Sequence, residues 1–133
     1  MARDAASAPH IVVIDDEDAI RDLICQILAD EGYRVSSSDT YLDDLDQLLR
    51  LEPDLIVLDI LLRGERSGLD FLDQVKTDPR TTRIPIAVCT GASHLDQHIN
   101  ARLTEWDCRP IFKPFDLDAL LAEIDRCLRA HDP

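Results

Sequence analysis

Cationic side chains are scarce in this sequence: 14 lysines and arginines stand against 27 aspartates and glutamates, for a formal charge of −13. That balance excludes nucleic-acid binding through the general surface, because a phosphate backbone calls for a basic face. Aromatic residues are also few, at 5%, which leaves no platform for stacking bases. No apolar run approaches the roughly 20 residues that cross a bilayer, and Met1 to Pro9 lacks the apolar segment of a secretory signal. A cytoplasmic protein with neither a nucleic-acid nor a membrane partner is the expectation. The four cysteines, Cys25, Cys89, Cys108 and Cys127, lie 64, 19 and 19 positions apart, with no Cys-x-x-Cys pair. They are read as reduced, structural thiols. His94 and His98 can share a helix face, yet no acid or thiol joins them in a recognised ligand pattern.

What is present suits a globular domain. With 133 residues, 45% hydrophobic and 31% charged, the chain can bury one core without staples. Its most informative stretch is Asp54-Leu-Ile-Val-Leu-Asp59, where four apolar residues after Pro53 end in a carboxylate. Such a run suits a strand buried on both faces. Ile11-Val-Val-Ile-Asp15-Asp16 repeats the design 44 residues earlier, and two further apolar runs end in Thr90 and Lys113. Four strand ends carrying polar residues point to one site.

Residues 1–9 read as a flexible arm, 10–129 as the domain and 130–133 as a tail. After a first strand from His10 to Asp15, Ile20, Leu23, Ile24, Ile27 and Leu28 form a core-facing helical stripe that stops near Gly32. Tyr33 to Ser38 has the polarity of an edge strand. Leu42, Leu45, Leu48 and Leu49 line the next helix, and Leu69, Leu72 and Val75 the one after the Asp59 strand and its loop. Pro85 to Cys89 is a buried strand. Leu95, Ile99, Leu103 and Trp106 make a narrow stripe on a fourth helix, and Arg109 to Lys113 is a short strand interrupted by Pro110. Asp116 can cap a last helix lined by Leu117, Leu120, Leu121, Ile124 and Leu128.

Strands alternating with helices imply βαβ crossovers, hence an α/β fold with a five-stranded parallel sheet covered on both faces. Right-handed crossovers reach both faces only if the winding reverses. The flavodoxin-like doubly wound order 2-1-3-4-5 reverses between the first and third strands, where ligands bind beyond the carboxyl ends. Asp15, Asp16 and Asp59 meet there. Carboxylates about 4 Å apart repel by about 4 kcal/mol per pair at an effective dielectric of about 20, and a cation relieves this. An oxygen ligand set with room for water suits Mg²⁺. Lys113 adds a positive charge and Thr90 a hydroxyl, a set able to hold a phosphoryl group with Asp59 as its acceptor. A structural Lys113–Asp59 ion pair is the plainer reading, but it leaves the Asp15–Asp16 cluster unexplained.

Asp15-Asp16-Glu17, the stretch around Leu58-Asp59-Ile60, Ile84-Pro85-Ile-Ala-Val-Cys-Thr90-Gly91 and Lys113-Pro114-Phe115 together resemble the receiver domains of bacterial two-component response regulators. The resemblance runs from His10 to Arg129. It implies phosphoryl transfer to Asp59 from a sensor histidine kinase, a histidine phosphotransfer protein of a phosphorelay, or a small phosphodonor. It also implies Mg²⁺ held by Asp16, by Asp15 directly or through water, by Asp59 and by the backbone carbonyl of Leu61. Thr90 would hydrogen-bond the phosphoryl group and Lys113 would pair with it. Such a chain is no enzyme beyond catalysing its own phosphorylation and dephosphorylation, and it signals through a downstream protein.

Four departures from the family pattern bear on output. Pro110 stands where a Tyr or Phe is common, Trp106-Asp107 where Gly-Ala is frequent, and Arg63 where proline is frequent. The loop from Leu62 to Gly68 is one residue longer than usual. Phe112 shares Pro110's side of the strand and is assigned to core packing ahead of a displaced switch role; Trp106 is either a core end-piece or an exposed anchor. A receiver-like scaffold that works without phosphorylation is the alternative reading. An aspartyl-phosphate phosphatase is weaker, because Leu61 replaces the second acid of an Asp-x-Asp pair. Kinase, output partner and oligomeric state are not encoded in these patterns.

Overall fold

The structure, a computed structural model, describes residues 8–41, 45–60, 68–90, 97–112 and 116–130. Among them, strands β1 (His10–Ile14), β2 (Arg34–Ser38), β3 (Leu55–Asp59), β4 (Ile86–Thr90) and β5 (Ile111–Phe112) alternate with helices. The helices are α1 (Asp18–Asp30), α2 (Leu45–Leu51), α3 (Gly68–Thr77), α4 (Gln97–Glu105) and α5 (Leu117–Ala130). All strand pairs are parallel, in the order β2-β1-β3-β4-β5. This is the doubly wound sheet that the alternation of patterns implies.

β1, β3 and β4 are buried at every position, as central strands covered on both faces must be. Successive side chains feed two cores. Val12, Ile14, Ile56, Leu58, Ile86 and Val88 meet α2, α3 and α4 through Leu45, Leu48, Phe71, Leu72, Val75 and Leu103. Ile11, Val13, Leu55, Val57, Ala87 and Cys89 meet α1 and α5 through Ile24, Leu28, Leu120, Ile124 and Cys127. Each large aliphatic side chain so buried contributes about 1.5–3 kcal/mol. β2 is half-exposed, as an edge strand. Asp116 caps α5: its Oδ1 accepts the Asp118 N–H at 2.9 Å.

The 44-residue repeat is the sheet register itself. Ile11 pairs with Leu55 and Ile14 with Leu58. Below that ladder the His10 N–H donates to Asp54 Oδ2 at 2.7 Å, and the Asp54 N–H donates to the His10 carbonyl at 2.7 Å. The His10 ring nitrogens bond the Leu51 carbonyl at 2.5 Å and Ser36 Oγ at 2.8 Å. One residue thus ties β1 to β2, to the start of β3 and to the end of α2.

Two expectations are corrected. Leu23 is 45% exposed: the buried side of α1 centres on Ile24 and Leu28, and Leu23 lies about 100° around the helix from Ile24. Phe112, assigned to the core, is 39% exposed. β5 is a two-residue edge strand whose Ile111 packs on the α1–α5 core, so the opposite side of the strand leaves the Phe112 ring partly in water. Trp106 closes the other core and donates from Nε1 to Asp73 at 3.0 Å, while Arg102 pairs with the same carboxylate. It is a core end-piece that ties α4 to α3. Ala8, at the end of the expected arm, is buried, and its carbonyl accepts from Arg34 Nε at 2.9 Å. Residues 1–7 and 131–133, with Leu42, Leu95 and the Ile99 side chain, lie outside what is described.

Replacing Asp54 by Ala orphans the His10 N–H and is expected to cost about 1–3 kcal/mol of unfolding free energy, read from urea titration; a loss below about 0.5 kcal/mol would refute its role as a register lock.

Candidate functional site

β1 and β3 leave the sheet side by side, and the residues that follow the paired Ile14 and Leu58 are Asp15 and Asp59. The two residues are 2% and 3% exposed. By alternation both belong to the α1–α5 face, the parity of Val13 and Val57. A third acid joins them. One oxygen from each of Asp15, Glu17 and Asp59 lies within 4.8 Å of the others.

The local chain explains this grouping. Asp15 Oδ1 accepts the Glu17 N–H at 2.9 Å, turning the segment before α1 back over the strand end. Arg21, one turn into the helix, donates to the Asp15 carbonyl at 2.9 Å and pairs with Asp18 at 2.7 Å. The hydrogen bond to Asp18 raises the Arg21 pKa against a smaller loss from burial, so this guanidinium stays charged beside the acids.

The expected site residues fall into three groups. Asp15 and Asp59 are together. Asp16 is half-buried beside Asp15, while the third member of the close trio is Glu17. Thr90 is fully buried at the end of β4, one residue beyond the Asp59–Cys89 pairing. Lys113 and Leu61 lie outside the described residues. Two buried carboxylates and one exposed carboxylate present an all-oxygen donor set open to water on one side, and this suits a small hard cation that keeps part of its hydration.

Two residues without a place in the sequence reading of the site hold the main chain at Asp59. The Tyr41 hydroxyl, buried, donates to the Asp59 carbonyl at 2.6 Å, and its ring stacks on Phe71 with centroids 5.5 Å apart. The Gly68 N–H donates to the Ile60 carbonyl at 3.2 Å. The signal for Gly68 was present as a glycine opening α3; for Tyr41 nothing in periodicity distinguishes a ring that packs from one that also donates. Glu17 had a signal in its place two residues after Asp15.

The thiols stand apart from this chemistry. All four cysteines are free, and burial pushes the Cys108 thiol up to about 11, so it stays protonated at neutral pH. Cys108 lines a cavity of about 240 Å³ with Lys76, Pro85, Trp106 and Arg126, at the amino end of β4. Burial lowers the Lys76 pKa, and its ammonium donates to the Ile84 carbonyl at 2.6 Å.

A parallel sheet of order 2-1-3-4-5 with acids gathered at its winding reversal defines a flavodoxin-like domain with an acidic pocket at the strand ends. Within that class, the family profile named Response regulator receiver domain matches residues 11–125, and the chain belongs to this family. It is 32% identical over 126 residues to the phosphate regulon transcriptional regulatory protein PhoB of Escherichia coli, covering 95% of this chain and 54% of that protein. It is also 32% identical over 124 residues to the DNA-binding dual master transcriptional regulator RpaA of Synechocystis, covering 93% and 51%. The chain thus spans about half the length of these curated relatives. Among solved structures, a CheY-like response regulator receiver domain from Methanospirillum hungatei superposes with a TM-score of 0.81 at 25% identity, covering 94% of this chain and 97% of that one. The receiver domain of NtrX from Brucella abortus superposes with a TM-score of 0.76 at 32% identity, covering 90% and 98%.

A methyl group on Gly68 would stand 2.3 Å from Ile60 Cα and 2.6 Å from the Tyr41 hydroxyl, whereas one on Gly32, at φ +94°, meets nothing within 4 Å. Gly68→Ala is therefore expected to cost at least about 2 kcal/mol, against roughly 1–2 for Gly32→Ala from backbone conformation alone, both by urea unfolding. A loss at Gly68 smaller than that at Gly32 would contradict the close packing at the end of β3.

Proposed function

We propose that this chain accepts a phosphoryl group on Asp59 from a phosphohistidine and signals through the change in charge and shape that follows. The observation that carries the proposal is a buried Asp59 carboxylate grouped with Asp15 and Glu17 at the carboxyl end of β3. An Asp59 oxygen attacks phosphorus, the P–N bond to the donor imidazole breaks, and the imidazole leaves with the electron pair and takes up a proton. An acyl phosphate on Asp59 results. The Thr90 hydroxyl donates to a phosphoryl oxygen and the Lys113 ammonium pairs with another, both offsetting charge that grows during transfer. Asp15, Asp16, Asp59 and the Leu61 carbonyl, with Glu17 close by, are the groups that hold Mg²⁺ in this proposal. Bound there, the ion supplies charge neutralisation for the crowded acids and the incoming group.

Modification adds about −1.5 to −2 charges at neutral pH. A site already crowded with carboxylates responds through the loop after β4 and the α4–β5–α5 face. The partners in this reading are a sensor histidine kinase or histidine phosphotransfer protein and a downstream protein, in the cytoplasm. The chain catalyses its own phosphorylation and dephosphorylation and acts on no other substrate. With a charge of −13, the domain's own surface does not bind nucleic acid; the transcriptional roles in the names of PhoB and RpaA belong to those longer proteins. Among the described residues no helix is long and apolar enough to cross a membrane. Pro110, which removes the family's usual aromatic, favours a second reading in which the domain docks its partner irrespective of phosphorylation.

Incubation with acetyl phosphate and Mg²⁺ is expected to add the mass of one phosphoryl group. Asp59→Asn and chelation of the metal should each reduce the rate at least about 100-fold. Undiminished uptake by Asp59→Asn would refute the assignment, and equal partner affinity in both forms would select the phosphorylation-independent scaffold.

A further inference from the structure

Phosphoryl transfer demands that one carboxylate oxygen sit in line with the bond that breaks. A side chain with only two torsions can be held there only if its main chain is held first. Asp59 is the last residue of β3. Asp59 pairs with Cys89 in the last step of the β3–β4 ladder, and the residue opposite it on the β1 side already belongs to the turn before α1. The chain there is also held from outside the sheet.

Tyr41 provides that hold. It follows β2 by three positions and lies 3% exposed, its hydroxyl 2.6 Å from the Asp59 carbonyl. Its ring is fixed in turn by the stacked Phe71, itself fully buried, at an interplanar angle of 20°. The fit leaves no slack on the far side, where a Gly68 Cβ would come within 2.6 Å of the same hydroxyl. The next carbonyl, that of Ile60, is taken by the Gly68 N–H at 3.2 Å. Two successive carbonyls are thereby anchored to different elements, one to the segment after β2 and one to the start of α3.

We propose that Tyr41 is a positioning residue for the reaction at Asp59: its hydroxyl fixes the strand end so that the Asp59 carboxylate keeps its place beside Asp15 and Glu17. This proposal rests on the phosphoacceptor reading. Tyr41 touches neither the donor nor the phosphoryl group; it acts through the Asp59 main chain. Tyr41→Phe removes the hydroxyl's hydrogen bond to the Asp59 carbonyl and keeps the ring in its stack. Val75→Ala, two turns along α3 from Gly68, opens the same core and leaves the Tyr41–Phe71 stack and the hydroxyl in the chain.

The test is the rate of acyl phosphate formation from acetyl phosphate at saturating Mg²⁺, with urea unfolding of each variant alongside. Tyr41→Phe should lower the maximal rate at least about fivefold and leave the half-saturating donor concentration within about twofold. Val75→Ala, destabilised to a similar or greater degree, should retain the wild-type maximal rate within about twofold. A Tyr41→Phe rate within about twofold of wild type overturns the proposal. So does a loss of rate in both variants that follows their loss of stability, since that is the mark of a purely structural role. Should Tyr41→Phe fail to fold while Val75→Ala folds with a wild-type rate, the hydroxyl is a stability element and the proposal is overturned as well. Absence of phosphorylation in the wild-type chain overturns the phosphoacceptor reading itself; a phosphorylated wild type with an unaffected Tyr41→Phe overturns the positioning role alone.

Discussion

The constraint on which the rest of the structure depends is the register between β1 and β3. Because Ile11 faces Leu55 and Ile14 faces Leu58, the acids five residues beyond His10 and Asp54 are brought level, and these are Asp15 and Asp59. The reciprocal bonds between His10 and Asp54 fix that alignment at the far end of both strands. A slip of one residue would send one of the two carboxylates to the opposite face of the sheet, among the apolar side chains under α2, α3 and α4. The acidic pocket is thus a product of strand pairing over its full length, and only afterwards of the loops around it.

Charge sets the second requirement. Two carboxylates almost fully withdrawn from water, with a third at the rim, are costly for the fold unless something positive offsets them. Arg21 contributes from the rim but is engaged by Asp18 and the Asp15 carbonyl. The three acids form an all-oxygen donor set that suits a small hard cation. Burial at the opposite end of β4 has a different outcome. There Lys76 finds carbonyl partners and Cys108 stays a neutral thiol, so polar groups are satisfied in place and hold the lower edge of the sheet together.

The legibility of this molecule in its sequence followed physical periodicity. Apolar runs of four residues ending in an acid were enough to locate β1 and β3, and the strand order brought Asp15 and Asp59 to one end of the sheet; the register that sets them level is seen only in the structure. Helical stripes identified Ile24, Leu28, Leu120 and Ile124 as core, and Asp116 as a cap. Periodicity says which residues share a face but not how far the neighbouring layer extends over it, and so Leu23 and Phe112 were assigned to the core although each is at the margin of its layer. Contacts between segments distant in sequence left no periodic trace. Tyr41 reaches Asp59 across 18 positions, and Gly68 is needed because a backbone passes against it. Glu17 comes into the trio through a turn that alternation does not describe.

The most direct measurement is the identity of the modified residue. Borohydride reduction of the phosphorylated chain converts an acyl phosphate to an alcohol, and the mass of the altered peptide marks the acid that carried it. A single mark, at Asp59, is expected. A mark at Asp15, Asp16 or Glu17, or a phosphoryl group that resists borohydride, would contradict it.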